Sequence, residues 1–273
     1  MGKVNTIKRG GSRFYVSPED PGIKYPGVTS VCGMLPKGFL TFWAAKLVAE
    51  EAVENLPHVL GIAMRDRDAA IDYLKRTPTR TTAKAADLGS DAHDLFERMA
   101  RGEDVRRVHP DLEPHRTNFA EFLDRFQPEF LSLEHVAWSD SHQYAGSYDA
   151  IMRVTVDGTP EVVMADWKTT RSGIHADVAL QLSAYRYADK YLDGADGSEI
   201  TTVRPEEITA AAVFHSRPEA WQFTPVRAEY DVFDMFKRLR KVFEWDRVMS
   251  KGVIGTPLHV SSEMTGTARR AAR

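Results

Sequence analysis

Residues 146–168 are GSYDAIMRVTVDGTPEVVMADWK, and their pattern predicts the two strands at the centre of the fold. Apolar and polar side chains alternate on both sides of Asp157-Gly158, and an Asp-Gly pair is the strongest short signal of a hairpin turn. The pattern therefore predicts a strand over 148–156 and a second strand over 161–168, paired antiparallel.

The predicted hairpin carries two carboxylates and a lysine. Asp149 is expected in the first strand, and Asp166 and Lys168 lie two residues apart in the second, so a period of two puts both side chains on one face. The hairpin can also bring Asp149 beside Asp166. Two adjacent carboxylates repel each other unless a cation lies between them, and hard oxygen ligands suit Mg²⁺ or Mn²⁺. A lysine beside such an ion can orient or deprotonate a water molecule and offset charge on a transition state, which is the chemistry of phosphodiester hydrolysis.

An Asp-Trp-Lys triplet alone also occurs at the end of an ordinary strand, so the flanking elements matter. The apolar run at 162–164 would place the triplet at a strand end, where the active sites of mixed sheets tend to lie. A helix is predicted over 174–191, and on it Gln181 and Tyr185 are four residues apart and share a face. Both side chains are therefore expected to reach the same site.

The rest of the chain alternates between helical and strand periodicity. Further helices are predicted at 39–56, 59–74, from 83 to Gly102, at 119–126 and at 230–249, further strands at 14–16, 134–138, 210–215 and 221–226, and a loop at 78–82. This pattern predicts an α/β fold of the α+β kind, a mixed sheet flanked by helices. We expect an N-terminal strand and helical region at 1–84, a core at 85–250 and a flexible C-terminal tail at 251–273.

Composition excludes several classes of protein. The chain has 273 residues, 42% hydrophobic and 27% charged, and no apolar run near the ~20 residues that span a bilayer, so no membrane role is expected. The basic N-terminus lacks an apolar segment behind it, so no secretory signal is predicted and a cytoplasmic location is expected. The single cysteine, Cys32, cannot form an intramolecular disulfide, a four-cysteine zinc site or an all-cysteine iron-sulfur cluster.

The net charge of −3 does not indicate a nucleic-acid-binding protein, so a polyanion would have to meet local basic surfaces. Two such clusters are present, and phosphate contact and plain solubility are equal alternatives for each. The first comprises Arg65, Arg67, Lys75, Arg76, Arg80 and Lys84, and the second Lys237, Arg238, Arg240 and Lys241.

Four ordered motifs resemble those of a known family. They are GSDAH at 89–93 followed by Glu97, GSYD at 146–149, DWK at 166–168 and QLSAY at 181–185. Together they resemble the PD-(D/E)XK nuclease superfamily, and within it the RecB-like exonuclease branch, which includes the CRISPR-associated exonucleases and similar proteins of tailed phages. The likeness extends over about residues 25–226, and it implies a restriction-endonuclease-like core with a helical N-terminal region.

The resemblance implies a metal site for Mg²⁺ or Mn²⁺. Carried over residue by residue, it makes His93, Asp149 and Asp166 the ligands, with a main-chain oxygen near Trp167 as a further one. A histidine ligand favours Mn²⁺ more than an all-carboxylate cage would. The second acid is aspartate where glutamate is common in the family, which shortens the reach but keeps the ligand type.

The resemblance also implies the catalytic residues. Lys168 would be the catalytic lysine, and Gln181 and Tyr185 would position that lysine, the scissile phosphate or the nearby backbone. The CRISPR-associated members typically carry four cysteines for an iron-sulfur cluster, and Cys32 alone cannot hold one.

The expected function is that of a metal-dependent DNA exonuclease in recombination, repair or phage DNA metabolism, in bacterial or phage-infected cytoplasm. An endonuclease or flap nuclease on the same fold, and a noncatalytic DNA-binding recombination module, are alternatives that the sequence leaves open. DNA is the expected partner. A recombinase or single-strand annealing protein is a further expected partner, implied only by the family resemblance. Polarity, strand preference, processivity and oligomeric state are not decided by the sequence.

Overall fold

The computed structural model of the chain describes residues 3–156 and 158–259. In chain order, its strands and helices are β1 (Thr6–Arg9), β2 (Ser12–Val16), β3 (Lys24–Pro26), α1 (Val28–Cys32), α2 (Phe39–Glu54), α3 (Leu56–Ala63), α4 (Arg67–Lys75), α5 (Thr77–Ala100), α6 (Glu113–Phe126), β4 (Glu129–Leu133), β5 (Val136–Ser139), β6 (Tyr144–Ser147), β7 (Ala150–Val156), β8 (Thr159–Lys168), α7 (Asp177–Arg186), β9 (Lys190–Leu192), β10 (Ala210–Arg217), β11 (Ala220–Pro225) and α8 (Tyr230–Arg247). Short 3-10 helices occupy Pro110–Leu112, Pro205–Glu207 and Met249–Gly252.

A five-stranded mixed sheet forms the centre, in the order β11-β10-β8-β7-β4. Strand β8 runs parallel to β10 and antiparallel to β7, and the two outer pairs are antiparallel. Residues 163–167 of β8 are all buried, as expected of a central strand covered on both faces. The expected α/β fold with a mixed sheet flanked by helices is thus confirmed, and the assignment of a PD-(D/E)XK core stays a prediction.

The period of two along the strands separates two helical layers. Met164 and Val213 belong to the core that holds α1, α7 and α8, whereas Val163, Trp167 and Phe214 belong to the core under α5 and α6. Asp166 and Lys168 alternate with Trp167, so the predicted shared face of this acid and this lysine is the α7 face.

An aromatic cluster fixes α5 and α6 to the sheet. Phe96 of α5 stacks on Phe119 of α6 with ring centroids 4.7 Å apart, and Phe119 meets the Trp167 ring at 5.4 Å. Phe122 and Phe214 complete the cluster at 5.0 Å from each other. Because such rings bury large areas in specific geometries, they set the position of α5 along the sheet.

Two small three-stranded sheets, β1-β2-β3 and β6-β5-β9, extend the fold beside the α7 layer. A bridge between Gly27 and Ala145 links the first to the second. At the next residue, Gly146, a side chain would have no room, because an added Cβ would lie 2.8 Å from the Tyr185 ring and 3.0 Å from Val28. Gly146 thus allows β6, α1 and α7 to approach closely.

Several predicted boundaries are wrong. The loop expected at 78–82 is the first turn and a half of α5, since a proline at the start of a helix loses no hydrogen bond and the Thr81 hydroxyl donates to the Thr77 carbonyl at 3.0 Å. The helix expected at 59–74 is two helices, because the Asp66 side chain accepts from the main chain at 2.9 and 3.0 Å and caps a new one. The expected division at residue 84 falls inside α5, and the division into domains stays a prediction.

The helix expected over 174–191 is shorter than predicted. It runs from Asp177 to Arg186, and Lys190–Leu192 instead form β9 against β5. Asp157 of the hairpin turn, the Lys84 side chain and residues 260–273 of the expected tail lie outside the described residues. Among the residues that the structure describes, no helix combines the length and the apolar character needed to cross a membrane.

Replacing Gly146 by alanine should destabilise the protein by about 1–3 kcal/mol, because the new methyl group overlaps Tyr185 and Val28. A suitable control is Gly61→Ala in α3, where an added Cβ meets no described atom within 4 Å and helix propensity favours alanine by up to ~1 kcal/mol. Urea unfolding should give a lower midpoint for Gly146→Ala and an equal or higher one for Gly61→Ala. Equal midpoints for Gly146→Ala and the wild type would contradict the close packing.

Candidate metal and catalytic centre

The candidate site lies where the β7–β8 ladder ends. The last paired residues are Ala150 and Ala165, so Asp149 stands opposite Asp166, as the hairpin predicted. Asp149 was expected in the strand, and this is wrong: it lies directly before β7 in a bend. Its carboxylate replaces the missing strand partner, because Oδ2 accepts the main-chain N–H of Trp167 at 2.5 Å.

Helix α5 brings His93 to this carboxylate. His93 lies one turn before Phe96, whose anchored ring holds that helix face towards the sheet. Its Nδ1 lies 3.4 Å from Oδ1 of Asp149. Glu97, one turn further on, is instead paired with Arg101 at 2.7 Å.

Sequence reasoning missed Glu134, which completes the group. His93, Glu134 and Asp149 each offer a ligand atom, and these three atoms lie within 4.8 Å of one another. Glu134 was expected in a strand, but it occupies the turn between β4 and β5 with a left-handed φ of 53°, and its N–H donates to the Asp149 carbonyl at 3.0 Å. A lone acid in the apolar run LSLEHVAW was the available signal.

The oxygen atoms around this group suit a cation. Oε1 of Glu134 is buried and has no hydrogen-bond partner among the described residues, and a buried carboxylate oxygen without a partner is costly. Two carboxylates and one imidazole within this distance form a ligand set for Mn²⁺ or Mg²⁺, with histidine favouring the former. The predicted ligands His93 and Asp149 are thus brought together, with Glu134 as a third.

Asp166, Lys168 and Gln181 form a second group immediately beside the first. The side chain of Asp166 is 3% exposed, and its Oδ2 is ion-paired with the Lys168 ammonium. Gln181 donates from Nε2 to Oδ1 of Asp166 at 2.8 Å. Asp166 therefore borders the three-ligand group rather than belonging to it. Its Oδ1 accepts from Gln181, whereas its buried Oδ2 faces the Lys168 ammonium but has no hydrogen-bond partner among the described residues.

The two other predicted site residues have different places. In a strand the N–H and C=O of one residue face the same edge, so the Trp167 carbonyl faces the same side as the N–H that reaches Asp149. That main-chain oxygen therefore remains available as a ligand. Tyr185 is buried in the core below the site, with its ring 6.3 Å from that of Tyr148, and no hydrogen bond joins its hydroxyl to Lys168 in the described part of the chain.

Burial, and after it the neighbouring charges, shape the pKa values of the site. Burial, followed by the charge of Asp149, raises the pKa of Glu134 to about 8. Burial also raises the pKa of Asp166 to about 6, although Lys168 opposes the shift. For Asp149 burial acts in the same sense, but His93 and Lys168 outweigh it and lower the pKa. A divalent cation would stabilise the ionised form of all three.

The two basic clusters are partly neutralised by acids. In the first, on α4 and α5, Arg76 pairs with Asp72 at 2.6 Å and Arg80 with Glu51 at 3.7 Å. The second, on α8, has comparable pairs: Arg238 meets Asp234 at 2.8 Å and Arg240 meets Glu244 at 3.5 Å, while Lys237 also contacts Asp234. These ion pairs are compatible both with phosphate contact and with plain solubility of the clusters.

Comparison with known proteins adds no assignment. No protein-family model matches the chain, and no curated protein matches it in a sequence search. The function is therefore inferred from the geometry of the site.

Replacing Glu134 by glutamine should stabilise the metal-free protein at alkaline pH. The folded state holds a proton on Glu134 that the unfolded chain has lost, so wild-type stability falls as pH rises from about 4.5 to about 8. The variant does not lose this stability as the pH rises. Its Tm at pH 8.5 without metal should therefore be several degrees higher than that of the wild type, since each kcal/mol of stability changes the Tm by about 2–4 °C.

Added Mn²⁺ should give the wild type the higher Tm of the two proteins. It should raise the Tm of the wild type much more than that of Glu134→Gln, because the variant lacks one metal ligand. The exposed Glu219→Gln serves as a control and should follow the wild type in both conditions. A full Mn²⁺-induced shift in Glu134→Gln would exclude Glu134 as a ligand.

Proposed function

We propose that the protein is a metal-dependent deoxyribonuclease of the PD-(D/E)XK type that hydrolyses phosphodiester bonds as an exonuclease. One observation carries the proposal: a cation-sized group of His93, Glu134 and Asp149 directly adjoins a buried acid, Asp166, that is paired with a lysine. A structural ion pair would not need the unpartnered Glu134 oxygen beside it. The order of the four sequence motifs supports the same family.

The residues divide into two roles in this proposal. His93, Glu134, Asp149 and the Trp167 carbonyl would hold Mg²⁺ or Mn²⁺, which when bound polarises the phosphodiester and lowers the pKa of water. A cysteine cluster is not available to the site, since Cys32 is the only cysteine of the chain.

Lys168 is the group that acts on the attacking water and on the phosphate charge. Burial lowers its pKa, but Asp166 and Asp149 outweigh this and raise it, so the ammonium form is favoured and stabilises developing negative charge. Asp166 holds the lysine by the ion pair, and Gln181 holds Asp166 from the other side. Tyr185 acts as a packing residue beneath this arrangement rather than by contact with the lysine.

Asp166→Ala and Lys168→Ala should each reduce hydrolysis of end-labelled linear DNA in Mg²⁺ or Mn²⁺ by at least ~100-fold, the range expected for loss of a positioned catalytic group. Asp166→Asn keeps the shape of the side chain if the alanine variant folds poorly. Asp124→Ala on the exposed face of α6 is the matched control and should retain full activity. Full activity in Asp166→Asn and Lys168→Ala together would refute the proposal.

The same assay separates the alternatives. An exonuclease should degrade linear DNA and leave a closed circle intact, whereas equal degradation of the circle would favour an endonuclease. Loss of all hydrolysis with retained DNA binding would favour a noncatalytic recombination module, although the acids and the lysine are all present. Participation in recombination, repair or phage DNA metabolism, with a recombinase or annealing protein as partner, belongs to the same proposal and follows from the family resemblance.

A further inference from the structure

A cleft of about 280 Å³ opens beside the candidate centre. Lys168 and Gln181 line one end of it, so the cleft and the centre are continuous. The opposite wall is formed by Thr29 at the start of α1 and by Lys37 in the segment before α2. The segment that follows β8 closes the third side with His175.

Lys37 gives this cleft a cation away from the centre. Its Nζ lies 2.8 Å from Oδ2 of Asp177 at the start of α7, and its side chain is 41% exposed. An ammonium group has three donors, and one ion pair leaves donors that can reach a phosphate in the cleft.

An aromatic stack lies at the edge of the same cleft. The rings of Phe39 and His175 are nearly parallel, at 12°, with centroids 6.3 Å apart. Phe39 is 58% exposed, and an exposed aromatic ring is a typical platform on which an unpaired base stacks.

The size of the cleft discriminates between forms of DNA. A space of about 280 Å³ can take about one nucleotide. A double helix, whose major groove alone is ~12 Å wide, is too large to enter it. The lining mixes cationic, hydroxyl and apolar groups, which match the phosphate, sugar and base of one nucleotide, and its one carboxylate, Asp177, is paired with Lys37.

We infer that this cleft binds one unpaired nucleotide of a single DNA strand next to the scissile phosphate, with a backbone phosphate at Lys37 and the base against the Phe39–His175 stack. This inference rests on the proposed function, because it assigns that function a single-stranded substrate.

The test measures binding apart from hydrolysis. Every protein carries Asp166→Asn, and fluorescein-labelled (dT)10 is titrated by anisotropy in Mn²⁺ at several salt concentrations. Lys37→Ala should weaken binding at least ~10-fold and make the negative slope of log K against log salt shallower by ~0.7, the value for one phosphate contact on a single strand. Phe39→Ala should weaken (dT)10 binding to a similar degree and leave binding of a blunt duplex unchanged.

Matched controls lie on α2 outside the cleft. Lys46→Ala and the 80% exposed Phe42→Ala should bind (dT)10 as the parent does. Asp177→Ala breaks the same ion pair as Lys37→Ala but keeps the cation, so it should bind (dT)10 as tightly or more tightly. If Asp177→Ala loses as much affinity as Lys37→Ala, the lysine has only a structural role and the inference is overturned.

The inference and the proposed function fail separately. Unchanged (dT)10 affinity in Lys37→Ala and Phe39→Ala, with normal DNA hydrolysis by the wild type, removes the cleft assignment alone. If (dT)10 binding depends on Lys37 but the wild type hydrolyses no DNA, the cleft assignment is supported and the nuclease function is refuted.

Discussion

The arrangement of the site depends on one hydrogen bond, from the main-chain N–H of Trp167 to the carboxylate of Asp149. Strand β8 continues beyond the end of β7 into a fully buried region, where a main-chain N–H needs an acceptor. The Asp149 side chain supplies it, and the main chain of β7 is thereby free to turn away. Because a side chain rather than a neighbouring strand accepts this hydrogen bond, there is space beside β8 for the other acids and His93.

Two acids in that space oppose the folding of the protein without a cation. Burial disfavours the ionised forms of Glu134 and Asp166 and raises the pKa of each, whereas His93 and Lys168 keep the pKa of Asp149 low. Groups that destabilise an empty site are typical of functional centres, because selection on function retains them against stability. The surrounding core offsets this cost: the aromatic cluster under α5 and the packing at Gly146 are both apolar and well filled.

Sequence patterns predicted the parts of the site that depend on local geometry. The alternation in β8 was enough to place Asp166 and Lys168 on one face, and helical spacing put Gln181 near them. His93 was expected only through the family resemblance, since nothing local distinguishes it from a surface histidine. Glu134 was missed because its position depends on a left-handed turn and on the pairing of β4 with β7, which no local pattern reveals. Tyr185 shares a helix face with Gln181, but the close approach at Gly146 draws its ring into the core.

Helix α5 constrains how the chain can change during evolution. Its first turns pack beside the N-terminal helices and are largely exposed, whereas its last turns carry His93 and the ring of Phe96. Each residue of an α-helix turns the chain by about 100°, so inserting or deleting a single residue in the exposed half would rotate that half relative to the anchored one. Substitutions in the exposed half leave this rotation unchanged, whereas insertions and deletions do not. The anchored residues His93 and Phe96 therefore constrain the length of the whole 24-residue helix.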